Sequence, residues 1–176
     1  MIKENFLIRS ITTANIPLWV TTICTRAFSD FPNLMPVNIR SSVVSIAEEA
    51  FSKCPKLKII NIPSSIKGDN LGKCAFRGCT SLEKMILPPF LTIIKDGTFK
   101  GCTALKKVEL NKGLEVIGEE AFMECKYLHH VTVPGTVKLI KDKAFQKSSL
   151  KKIYFHNQRP TCCKKSIPFF VSKGTI

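Results

Sequence analysis

The sequence has no run of apolar residues near the eighteen or so that a membrane-spanning helix needs. The N-terminal Phe6-Leu7-Ile8 segment is too short for a secretory core, sits among Lys3, Glu4 and Arg9, and has no small-residue cleavage site after it. The expectation is an intracellular protein or a fragment of a longer surface protein. A glycine-rich phosphate loop, a serine or cysteine elbow and a motif-placed carboxylate pair are all missing, so none of the usual catalytic signatures is present. No zinc-finger or RNA-recognition signature occurs either. Acid is absent from the last 26 residues, which hold six bases.

What is present is an ordinary globular composition, 44% hydrophobic and 23% charged, in 176 residues, enough for one domain with a continuous core. The formal net charge of +14 is uneven. In residues 1–50, Lys3, Arg9, Arg26 and Arg40 balance Glu4, Asp30, Glu48 and Glu49, so the whole excess lies in residues 51–176. A basic half attracts acidic protein surfaces, acidic glycans, anionic lipid or nucleic acid, without choosing among them.

An internal repeat organises the chain. Phenylalanine recurs at Phe28, Phe51, Phe76, Phe99, Phe122 and Phe145, at intervals of 23, 25, 23, 23 and 23. Ala27, Ala50, Ala75, Thr98, Ala121 or Ala144 precedes each, and Cys54, Cys79, Cys102 and Cys125 follow at three residues. A leucine comes next, at Leu34, Leu57, Leu82, Leu105, Leu128 and Leu150. Apolar residues three and five positions beyond it, such as Met85/Leu87 and Val131/Val133, alternate as in a strand with one buried face. A second apolar pair follows (Val43/Ile46, Leu114/Ile117), and then a predicted short helical turn such as Glu48–Phe51 or Glu119–Phe122. The two-residue insertion falls in Lys67-Gly68-Asp69-Asn70 and predicts a bulged loop. Each unit has an apolar edge that only stacking on its neighbours can bury.

The pattern Leu82-x-x-Met85-x-Leu87-Pro88…Leu91-x-x-Ile94…Thr98-Phe99-x-x-Cys102-x-x-Leu105, echoed from Leu128 to Phe145, resembles the BspA-like (Treponema-type) leucine-rich repeat over about Ile11 to Phe155. The resemblance implies a repeat solenoid: a right-handed coil with a parallel β-sheet on the concave face and short helical turns opposite. It also implies an adhesin-like or scaffold role in macromolecule binding, without chemistry of its own. The solenoid is expected over residues 1–155, with a part-repeat or cap at 1–26, and a C-terminal cap or tail over 156–176 that includes Phe169 and Phe170.

Within this phase the cysteines form a ladder of buried thiols against the phenylalanines. They lack the close pairs of a zinc site, no metal or cofactor is expected, and His129, His130 and Cys125 are not expected to converge. Residues two and four after each leucine-type position face outward on the sheet. One such row is Thr13, Pro36, Ile59, Lys84, Lys107, His130 and Lys152; the other is Asn15, Asn38, Asn61, Ile86, Glu109, Thr132 and Tyr154. The candidate binding residues are Lys84, Lys107, Glu109, His130, Lys152 and Tyr154, for a protein ligand with acidic groups. Nucleic acid is disfavoured because Tyr154 is the one aromatic platform in the patch. The function expected is a non-catalytic protein-binding module acting through the concave sheet. A structural spacer in a longer surface or adhesin protein is the alternative, and an enzyme ranks third.

Overall fold

A computed structural model describes residues 11–156, 160–162, 167 and 172–175. Its strands are, in chain order, β1 (Ala14–Asn15), β2 (Thr22–Ile23), β3 (Pro36–Asn38), β4 (Ser45–Ile46), β5 (Ile59–Ile60), β6 (Lys84–Ile86) and β7 (Ile93–Ile94). They continue with β8 (Lys107–Glu109), β9 (Val116–Ile117), β10 (His130–Val133), β11 (Leu139–Ile140), β12 (Lys152–Phe155), β13 (Thr161–Cys162) and β14 (Ser172–Thr175). All pairings are parallel and link a strand to its counterpart one coil away, as in Val37 with Ile60 or Met85 with Val108. The chain therefore forms a β-solenoid of about six turns.

A full coil carries two strands, except the coil of β5, which carries one. The leucine-led strands make the first sheet, hydrogen-bonded in three groups: β1-β3-β5, β6-β8 and β10-β12-β14. The second apolar pair, to which the sequence pattern assigns no strand, forms a second parallel sheet, β2-β4 and β7-β9-β11-β13. The insertion separates its two groups. There the ladder thins to single bridges, Ile46 to Leu71 and Gly68 to Leu91. Lys67 lies over the Phe90 ring, and Lys95 pairs with Asp69 at 3.1 Å. Beyond residue 155, β13 and β14 continue the two sheets. Residues 1–10, Phe169 and Phe170, to which capping was assigned, lie outside the described residues.

The short helical turns are corrected: no helix occurs among the described residues. The amides of Glu49, Phe51 and Lys53 donate to the carbonyls of Lys73, Ala75 and Arg77 on the next coil, at 2.9, 2.8 and 2.6 Å. Only the intervening Ala50 and Ser52 amides close local turns, to Ala47 and Glu49. An α-helix needs every amide to bond four residues back. Here alternate amides are claimed by the neighbouring coil, so the segment becomes a spiral of turns. Two positions per coil have positive φ, one through Arg26, Glu49, Cys74, Gly97, Glu120 and Lys143, the other through Asp30, Lys53, Gly78, Gly101, Glu124 and Lys147. Such a left-handed residue also ends any helical run. The paired glutamates therefore do not start a helix; the second of each pair turns the chain.

The core is a set of side-chain columns. Phe28, Phe51, Phe76, Phe99, Phe122 and Phe145 stack nearly parallel, with centroids 5.2–5.7 Å apart. Beside them the thiols of Cys54, Cys79, Cys102 and Cys125 donate to the carbonyls of Phe28, Phe51, Phe76 and Phe99, at 3.0–3.3 Å. Cysteine here fills a small space and ties each of these carbonyls to the next coil; those of Phe76 and Phe99 also accept the amides of Cys79 and Cys102, as a carbonyl with two lone pairs can. In the first copy Phe31 takes that place and meets Phe28 edge-on at 5.7 Å. In the last, the Ser148 hydroxyl donates to the Phe145 carbonyl. Where Thr98 replaces alanine, its buried hydroxyl donates to the Lys95 carbonyl at 2.7 Å.

Candidate macromolecule-binding face

Strand alternation fixes the site. Val37, Ile60, Met85, Val108, Val131 and Ile153 of the first sheet point into the core and are buried. Their neighbours must face out. Both outward rows lie on the surface: Lys84, Lys107, His130 and Lys152 are exposed, Glu109 and Tyr154 half-buried. The register sets Lys84 beside Lys107, His130 beside Lys152, and Thr132 beside Tyr154.

Two lysines side by side repel, and a glutamate resolves this. The Glu109 carboxylate lies 3.3 Å from Lys84 Nζ and 3.0 Å from Lys107 Nζ, and these two partners hold its pKa below the usual carboxylate range. Glu83 does the same between Lys58 and Lys106, at 3.0 and 3.3 Å, with the same downward shift. Both clusters are exposed, so each pair is worth little by itself. Among the described residues, Lys112 and Lys152 have no carboxylate partner. Lys112 shares a groove of about 560 Å³ with Lys107, His130, Thr132, Tyr154 and His156.

The structure thus brings Lys84, Lys107 and Glu109 into one cluster and sets His130, Lys152 and Tyr154 on the two adjoining strands. Sequence reasoning missed Lys112 and His156, which belong to no outward strand row and reach the groove from the segments that follow β8 and β12. It also missed a second groove, of about 730 Å³, at the other end of the face, lined by Met35, Pro36 and Ile59. The signal for it was the run of apolar residues at positions that should be polar.

His129 Nδ1 donates to the Ser149 carbonyl at 3.1 Å, while buried Cys125 bonds to Phe99. Those side chains therefore do not converge on a common point. Burial pushes the Cys54 thiol up to about 11 and the Cys125 thiol up to about 12; Cys79 and Cys102 shift upward for the same reason. Thiols held protonated in this way are poor nucleophiles and poor metal ligands. No helix among the described residues is long and apolar enough to cross a membrane.

Parallel coils, stacked columns and a two-row outward face define the class: a leucine-rich-repeat β-solenoid. The sequence profile of the "BspA type Leucine rich repeat region" matches six copies, over residues 3–70 and 67–166, and the chain belongs to that family. Among solved structures it is similar to the Treponema pallidum leucine rich repeat protein, with 28% identity and a TM-score of 0.76 over 93% of this chain and 73% of that one. It is also similar to a leucine-rich repeat protein from Eubacterium ventriosum, with 27% identity and a TM-score of 0.61 over 80% of this chain and 44% of that one. No curated protein matches the chain in sequence.

Proposed function

We propose that this chain is a non-catalytic protein-binding module whose outward sheet face docks an acidic segment of its partner. The observation that carries this reading is the groove of about 560 Å³, in which Lys112 has no internal counter-charge while neighbouring lysines share glutamates. An acidic side chain entering there gains an ion pair without breaking an existing one. Lys152 and Tyr154 extend the same surface along β12, and Lys84 and Lys107, tied to Glu109, form its near edge. Eight strands at about 4.8 Å make a face roughly 35 Å long, suited to a protein segment more than to a small metabolite. Nucleic acid fits less well, because among the described residues of the groove Tyr154 is the one Tyr, Phe or Trp side chain on which an unstacked base could lie.

A second reading, a rigid spacer in a longer surface protein, is favoured by the ladder of ion pairs that staples successive coils. Lys73 and Lys141 both reach Asp96, at 3.4 and 3.5 Å, and Lys100 reaches Glu120. A polyglutamate peptide titrated into the full chain separates the two. The binding module takes it up with salt-dependent affinity, and Lys112→Glu with Lys152→Glu weakens it by about tenfold or more. No uptake by the unaltered chain would leave the spacer.

A further inference from the structure

The N-terminal half of the same face has a different chemistry. We propose that its groove takes an uncharged peptide segment of a partner protein, held by an aliphatic side chain and by hydrogen bonds to the peptide backbone. The proposal rests on the sheet face being the protein-binding face; it is independent of the acidic partner.

Met35, Pro36 and Ile59 line this groove of about 730 Å³ together with Asn15, Asn38 and Asn61. Met35 is 51% and Ile59 65% exposed, and Ile86, which takes the asparagine place on the next coil, is 52% exposed. Large aliphatic side chains gathered on one outward sheet surface mark a contact area rather than scattered surface residues. The three asparagines occupy one place in successive coils; Asn15 and Asn38 are direct register partners. Among the described residues none of their carboxamides bonds to another group of the chain. Each offers donors and an acceptor, and a peptide backbone offers the complementary set.

Charge decides against an acidic or basic occupant. The lining's single ionisable side chain, Lys58, already pairs with Glu83 at 3.0 Å. A charged group would lose hydration there without finding a counter-charge. An uncharged glycan is the competing occupant, but the lining has no aromatic ring on which a sugar face could stack. Aliphatic side chains beside amides match a peptide better.

The test selects random phage-displayed peptides on the full chain and measures recovered synthetic peptides against the unaltered protein, Ile59→Asp and Asn38→Asp. Both sites are exposed, so the variants should match the parent in melting temperature, which is checked first. Peptides without net charge and with an aliphatic anchor are expected. Either substitution should weaken them by about tenfold or more. Their affinity should change little between low and high salt, and a polyglutamate peptide should not displace them. Recovery of no uncharged peptide, or affinity untouched by both substitutions, overturns the proposal. Displacement by polyglutamate would also overturn it while leaving the acidic-partner reading intact. Uptake of a neutral oligosaccharide, lost in Ile59→Asp, would assign the groove to a glycan instead.

Discussion

Phe99 sits mid-column between Phe76 and Phe122, with centroids 5.7 and 5.3 Å away, and has no access to solvent. Phe99→Ala is expected to cost about 3–5 kcal/mol in chemical denaturation. A cost under about 1 kcal/mol would mean that the stack does not hold the coils. The thiols make a second prediction at this scale. In the native protein at neutral pH, Cys24 and Cys162 are exposed and should react with a thiol reagent, whereas Cys54, Cys79, Cys102 and Cys125 should react only on unfolding. Their raised folded-state pKa also has a sign. The unfolded chain loses these protons from about pH 8.5, whereas the folded chain keeps them until about 11 at Cys54 and 12 at Cys125. Stability from this source is full below that lower limit and falls as pH rises through the window. Melting temperatures flat from pH 8 to pH 11 would contradict it. The place of each cysteine was legible from its repeat phase. Its hydrogen bond to the phenylalanine one coil back was not, because a three-residue spacing says nothing about the neighbouring coil.

At the scale of the element, sequence periodicity located the first-sheet strands from β1 to β12, missed β14 in the stretch expected as a cap or tail, and read the turn segments as helical. A stretch such as Glu119-Glu120-Ala121-Phe122 has good local helix formers, and tertiary hydrogen bonding overrides that preference. The amides of Glu120 and Phe122 go to Asp142 and Ala144 of the next coil. The second sheet was hidden because its strands are two residues long, too short for alternation to show. Close approach of coils there is testable at Gly118. A Cβ at this position would lie 2.6 Å from the Lys95 backbone carbon. Backbone cannot rotate aside as a side chain can, so Gly118→Ala should destabilise by about 1–3 kcal/mol. By contrast, a Cβ at Gly68 meets nothing within 4 Å, although its φ of +59° disfavours any side chain. An unchanged melting temperature for Gly118→Ala would show that the coils are less tightly apposed.

At the scale of the whole molecule, ion pairs between coils offset part of the positive charge and couple stability to acid. Burial opposes the charged form of Asp96, yet the Glu119 amide, Lys141 and Lys73 together hold its pKa below the usual value. Glu83, Glu109 and Glu120 are lowered by their lysines as well. Carboxylates of this kind contribute stability above their unfolded pKa of about 4, and lose it as pH falls through the lower folded value. The melting temperature should therefore drop as pH falls below about 4, and less so in high salt, which already screens the exposed pairs. The outward rows were legible from the two-residue alternation. So were the neutral end with Asn15, Asn38 and Asn61, the basic end, and Glu109 between Lys84 and Lys107. The groove reached by Lys112 and His156 was not, since those residues lie outside the strand rows.

With a net charge of +14, any acidic probe will adhere to some extent wherever lysines are exposed. The decisive measurement compares polyglutamate affinity in two charge-reversed proteins: Lys112→Glu with Lys152→Glu on the sheet face, and Lys67→Glu with Lys138→Glu in the insertion and beside the second sheet. If the first sheet is the docking face, the first pair loses about tenfold or more in affinity and the second stays near the parent. Equal losses in both would reduce the interaction to net charge and contradict a binding face.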